Sequence, residues 1–75
     1  MADQLLDTKG LSCPLPVLKA KKALKELPKG SVLRVLATDP GAARDFPQFC
    51  EATGHKLIAH EIENGVHAFD IEVAT

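Results

Sequence analysis

The spacing of apolar residues along the chain predicts six elements. Gln4–Asp7 is a short apolar stretch and reads as a strand, and Thr8–Ser12 follows as a loop. From Pro16 to Leu27 the period becomes helical. Val17, Ala20, Ala23, Leu24 and Leu27 fall on one side at about 100° per residue, and Pro28-Lys29-Gly30 stops the helix. Ser31–Thr38 is apolar almost throughout, as a central strand is. Asp39-Pro40 reads as a second helix start, with Asp39 as the N-cap and Pro40 in the first helical position. Ala42, Ala43, Phe46, Phe49, Cys50 and Thr53 then share a face, and Gly54 caps the end. Pro47 interrupts this run, so a kink or restart is expected near Asp45. Lys56–Ile62 and Val66–Val73 read as strands around Asn64-Gly65, a strong hairpin signal.

The order is βαβαββ. A two-residue turn at Asn64-Gly65 pairs Ile62 with His67, His60 with Phe69 and Ile58 with Ile71. These residues and Val73 are placed under the helices, with Leu57, Ala59, Glu61, Ala68, Asp70 and Glu72 pointing away. A right-handed crossover makes the first two strands parallel neighbours with both helices on one face. The expected fold is an α/β (α+β) two-layer sandwich.

Length limits what such a fold can do. The chain has 75 residues and is expected to form a single domain over 1–75. A domain this small buries only about 60% of its unfolded surface. It cannot enclose a cavity of about 300 Å³ or more, so its chemistry belongs on the surface. Nine basic and ten acidic residues give no global charge that points to nucleic acid or membrane. The three aromatics are all Phe, which makes a base-stacking platform unexpected. No signal-like N-terminus or long apolar run is seen, so a cytoplasmic protein is expected. Two cysteines are too few for a disulfide scaffold, so each is packing or chemistry.

Cys13 is the residue that invites chemistry. It lies in Leu11-Ser12-Cys13-Pro14-Leu15-Pro16, at the end of the first loop and the threshold of the first helix. A helix N-terminus carries roughly half a positive charge and unpaired N–H donors, and both stabilise a thiolate. Pro14 and Pro16 stiffen the backbone on the C-terminal side. Lys9 and Arg44 are candidates for added positive charge. The site is expected at the edge past the ends of the parallel strands, where Asp39 is the nearest carboxylate. No His is expected beside Cys13, and Pro16 stands where a resolving thiol would be, so acceptance and release of a group on sulfur is the economical chemistry.

These segments carry a resemblance. Leu6-Asp7-Thr8-Lys9-Gly10-Leu11-Ser12-Cys13-Pro14-Leu15-Pro16, with Val35-Leu36-Ala37-Thr38-Asp39-Pro40-Gly41-Ala42-Ala43-Arg44-Asp45, then Phe49-Cys50 and Gly54-His55, closely resembles the TusA/SirA family of small sulfur carriers. The resemblance implies a mixed four-stranded sheet of order 1-2-4-3. It implies a persulfide carried on Cys13, with Gly10, Leu11, Pro14, Pro16 and Asp39 as supporting motif residues. It further implies a cysteine desulfurase or rhodanese as donor and a DsrE/TusD-type acceptor, serving tRNA 2-thiouridine formation, molybdenum-cofactor maturation or sulfur oxidation.

Other residues complete the expectations. Cys50 reads as core. Leu18 stands amid Lys21, Lys22 and Lys25 on the first helix, a candidate docking patch for an acidic partner surface. His60 and His67 lie diagonally on one sheet face, too few to hold a metal. No cofactor, no metal, no direct nucleic-acid contact and a monomer are expected. Two further classes stay open on the residues alone: an interaction or regulatory module in which Cys13 is structural, and an RNA-binding domain.

Overall fold

The computed structural model describes residues 3–12 and 14–74. Cys13, the residue singled out from the sequence, lies outside the described residues. The elements are β1 (Gln4–Asp7), α1 (Leu15–Lys25), β2 (Val32–Ala37), α2 (Ala42–Thr53), β3 (Lys56–Glu63) and β4 (Val66–Glu72). The four strands form one sheet of order β1-β2-β4-β3. β1 and β2 are parallel, and β4 is antiparallel to both β2 and β3. This is the expected two-layer arrangement, with both helices on one face of a mixed sheet.

Alternation in β2 builds the interface between the layers. Leu33, Val35 and Ala37 are buried, as are Phe69 and Ile71 of β4, Ala20 and Leu24 of α1, and Ala42, Phe46 and Cys50 of α2. Phe46 stacks on Phe69 with ring centroids 4.6 Å apart and forms the centre of the core. Val73 extends the ladder beyond β4, because its N–H donates to the Ser31 carbonyl at 2.8 Å and its carbonyl accepts from Gly30 N–H at 2.8 Å.

Three expectations need correction. α2 is a continuous helix through Pro47, with no restart near Asp45. Pro47 is exposed, and the buried anchors Phe46 and Cys50 on either side hold the helix together across the missing N–H. The second correction concerns the hairpin. Ile62 does face His67 and His60 does face Phe69, but a bulge between Leu57 and Ala59 places Leu57, not Ile58, opposite Ile71. Leu57 therefore packs against the core, while Ile58 is 54% exposed. β3 is an edge strand, and a bulge there re-aims the chain and makes the edge less able to pair with another strand. The third correction is Asp39, which is not the N-cap of α2. Gly41 occupies that position, without a side-chain cap. Asp39-Pro40-Gly41 instead forms a turn in which the Asp39 carbonyl accepts from Ala42 N–H at 3.0 Å.

Candidate functional site

The segment leading to position 13 is fastened to the end of β2. Thr8 is fully buried. Its N–H donates to the Leu36 carbonyl at 2.8 Å, and its hydroxyl donates to the same oxygen at 2.5 Å. Gly10 has φ +84, a left-handed conformation that glycine adopts freely, and its N–H donates to Thr38 Oγ1 at 2.9 Å. Leu11 N–H closes the turn on the Thr8 carbonyl at 3.2 Å. Sequence patterning placed a loop here but missed both Thr8 and Thr38. The only signal available was a threonine at each strand end.

Beyond position 13, α1 begins at once. Leu15 N–H donates to the Ser12 carbonyl at 2.9 Å and Leu18 N–H to the Pro14 carbonyl at 3.0 Å. Pro14 is the N-cap and Pro16 is buried in the first turn, so the helix start is stiff as expected. Ser12 and Pro14, the covalent neighbours of Cys13, are both exposed.

The turn before α2 and the first turn of the helix bring two carboxylates together, Asp39 and Asp45. A Cβ on Gly41 would stand 3.1 Å from Asp39 Oδ2 and 3.6 Å from Asp45 Oδ2, so both acids fold over this glycine. Asp45 also lines an open groove of about 370 Å³ with Pro14, Val17, Gln48 and Phe49. Sequence reasoning read Asp45 only as the place of a kink. The two candidate cations are met by acids: Lys9 Nζ lies 3.9 Å from Asp7 and Arg44 Nε 3.9 Å from Asp45. At that separation and exposure these pairs are weak.

The α1 stripe is on the surface. Leu18 is 53% exposed, and Lys21, Lys22 and Lys25 are exposed along the same helix. Leu15, also exposed, extends the apolar part of the stripe toward position 13. Cys50 is buried, and withdrawal from water pushes its thiol up to about 11.

His60 and His67 lie on the β3–β4 hairpin, whereas His55 lines an open groove with Lys21 and Lys25 of α1 and with Phe49 of α2. His60 Nε2 and His67 Nδ1 are 3.0 Å apart, one donating and one accepting, and His60 stacks on Phe69 at 4.4 Å. His55 Nδ1 accepts from Ala74 N–H at 3.2 Å. Among the described residues no three metal-ligating side chains converge, and no helix is long and apolar enough to cross a membrane.

A thin sandwich with a fastened loop running into an exposed helix start suits a protein that carries a group rather than one that encloses a substrate. The chain belongs to the TusA family of sulfur carriers: the family model described as Sulfurtransferase TusA matches residues 4–73. It is 49% identical over 70 residues to the sulfur carrier protein TusA of Allochromatium vinosum, covering 93% of this chain and 92% of that protein. It is 45% identical over 67 residues to the sulfur carrier protein TusA of Pseudomonas entomophila, covering 89% and 84% respectively. Its fold superposes with TM-score 0.83 on the crystal structure of a SirA-like protein from Desulfitobacterium hafniense, at 32% identity and covering 96% of this chain and 99% of that one. Membership implies interaction with sulfur donor and sulfur acceptor proteins.

Proposed function

We propose that Cys13 is the sulfur-bearing residue of this carrier. In loading, the Cys13 thiolate attacks the outer sulfur of a donor protein's persulfide, and the donor's own thiolate leaves. In unloading, an acceptor thiolate attacks the outer sulfur of the Cys13 persulfide, and the Cys13 thiolate leaves. Each step exchanges one sulfur–sulfur bond for another with no net oxidation, so neither needs an external oxidant, reductant or cofactor.

The observation that carries this reading is the fastened segment 8–12 joined to a proline-stiffened helix start, in a chain closely similar to sulfur carriers. Gly10, Leu11, Pro14 and Pro16 fix the approach of the backbone, and Asp39 supports the neighbouring turn. Leu18, Lys21, Lys22 and Lys25 seat an acidic surface of the donor or acceptor. The donor is of the cysteine desulfurase or rhodanese class, and the acceptor is a DsrE/TusD-type protein.

The test is an intact mass after incubation with a cysteine desulfurase and cysteine, and separately with a rhodanese and thiosulfate. One added sulfur, removed by reductant, absent in Cys13→Ser and retained in Cys50→Ser, is expected. No adduct from any of these donors would overturn the proposal.

A further inference from the structure

The two faces of the sandwich carry opposite charge. α1 exposes Lys19, Lys21, Lys22 and Lys25. On the uncovered face of the sheet, Asp7 pairs with Leu36, Asp70 with Ala59, Glu61 with Ala68, Glu63 with Val66 and Glu72 with Val32. Five carboxylates thus share this face with Arg34, with Lys56 at the far end opposite Glu72, and with Lys9, which lies 3.9 Å from Asp7, so five acids against three bases leave the face net negative by two. The Arg34 charge is already engaged: one guanidinium nitrogen lies 3.0 Å from both Asp70 oxygens and the other 2.9 Å from Glu61. Hydrogen bonding to Glu61, then the charge of Asp70, holds the Arg34 pKa above its ordinary value.

Between these acids lies apolar surface. Arg34, Leu36, Glu61, Glu63, Val66 and Ala68 line an open hollow of about 620 Å³. Across β2 from the hollow, Leu5 is 58% exposed on the same face, in register with Arg34. An apolar floor within a carboxylate rim has a definite complement, a segment with short apolar side chains flanked by Lys and Arg.

We propose that this uncovered face is a second docking surface and that it takes a basic, apolar-striped segment of a partner protein. Phosphate backbones and anionic headgroups are repelled by the same rim. The face lies across the sheet from both helices. A protein bound there leaves the α1 stripe free, so the carrier can be held on one side while sulfur is exchanged on the other. The proposal does not rest on the thiol chemistry at Cys13.

The experiment titrates a short amphipathic Leu/Lys peptide into nitrogen-15-labelled protein, with the matching Leu/Glu peptide as control. Amide shifts are expected at Leu36, Val66 and Ala68, with no binding of the Leu/Glu peptide. Glu61→Lys with Glu63→Lys should weaken binding about tenfold. Glu26→Lys with Glu51→Lys, the same change in net charge placed on the helix side, should change it less than about twofold. Glu61→Gln with Glu63→Gln should give a smaller loss in the same direction and serves if the double reversal does not fold. Shifts confined to the helices, equal weakening by both charge-reversed pairs, equal binding of the Leu/Glu peptide, or a face already covered by a second copy of the chain would each overturn the proposal. Cys13→Ser should bind the peptide as the unaltered chain does, which separates this test from that of sulfur loading.

Discussion

Native-state alkylation should separate the two thiols, and the expected rate at Cys50 follows from its surroundings. Cys50 is 3% exposed, and desolvation of its thiolate raises the pKa from 9.0 to about 11. At about pH 7.5 such a thiol is ionised to roughly 3 parts in 10,000, against about one part in ten for a free thiol of pKa near 8.5. The more basic thiolate is the better nucleophile, and a Brønsted slope of about 0.4–0.5 returns roughly tenfold. Ionisation alone therefore leaves Cys50 about thirtyfold slower than free cysteine, and burial slows it further because the sulfur must first be exposed by an opening of the fold. The raised pKa is also a stability statement. A group whose folded pKa lies above its unfolded value contributes fully below about pH 9 and loses that contribution as the pH rises to about 11, here roughly 3 kcal/mol. The assay is a time course of iodoacetamide labelling on Cys13→Ser, read by intact mass in buffer and in guanidinium. Labelling at least about thirtyfold slower than free cysteine is expected in buffer, rising to the free rate on denaturation. The alkaline loss of stability should disappear in Cys50→Ala. Native labelling within a few-fold of free cysteine would refute the placement of Cys50 in the core.

Three further outcomes follow from the geometry. Leu57→Ala should cost about 2 kcal/mol and Ile58→Ala under about 0.5 kcal/mol in urea unfolding; the reverse order would remove the bulge and restore simple alternation. Thr8→Val keeps the shape and leaves the Leu36 carbonyl its bond from the Thr8 N–H, so the cost should be about 1 kcal/mol, a fall in Tm of about 4–8 °C by thermal circular dichroism. An unchanged Tm would mean that the hydroxyl does not hold the loop. Leu18→Glu should cut sulfur transfer between proteins about tenfold while loading from a small polysulfide is unaffected; equal transfer would remove the α1 patch from the docking surface.

Much of the fold was legible because its signals are local and agree. The apolar period of α1, the turn at Asn64-Gly65 and the apolar run of β2 each name one element, and together they leave one economical sandwich. The misreadings share a cause, since each is a place where packing overrides a local rule. Pro47 should end a helix, but Phe46 and Cys50 anchor α2 on both sides of it. Strict alternation assigns Ile58 inward, but the edge strand absorbs an extra residue and Leu57 takes the core position. Asp39-Pro40 has the residues of a helix start, but the turn they form delays the helix by two positions. The proposed site was legible as chemistry in one segment, Leu11 to Pro16. Its support was not, because Thr8 and Thr38 act through bonds to a strand 28 residues away and to a loop 28 residues away.

With Cys13 as the proposed sulfur-bearing residue, those two bonds account for how so small a fold could hold a carrier site. A group that must be reached by two different proteins has to stand on the surface, where packing cannot fix it. Here the constraint is applied to the backbone on either side instead. Before position 13 the chain is tied to the end of β2 through Thr8 and Gly10, and after it Pro14 and Pro16 restrict φ as α1 begins. The ordering of this segment is met on folding rather than at each encounter, so less freedom is lost when a partner docks. The tie also defines where the site is vulnerable. β2 holds its end through the buried Val35 and Ala37 and through its ladder to β4. A core change that loosens β2 should therefore slow sulfur exchange in proportion to the freedom gained by segment 8–12, without touching any residue that meets a partner.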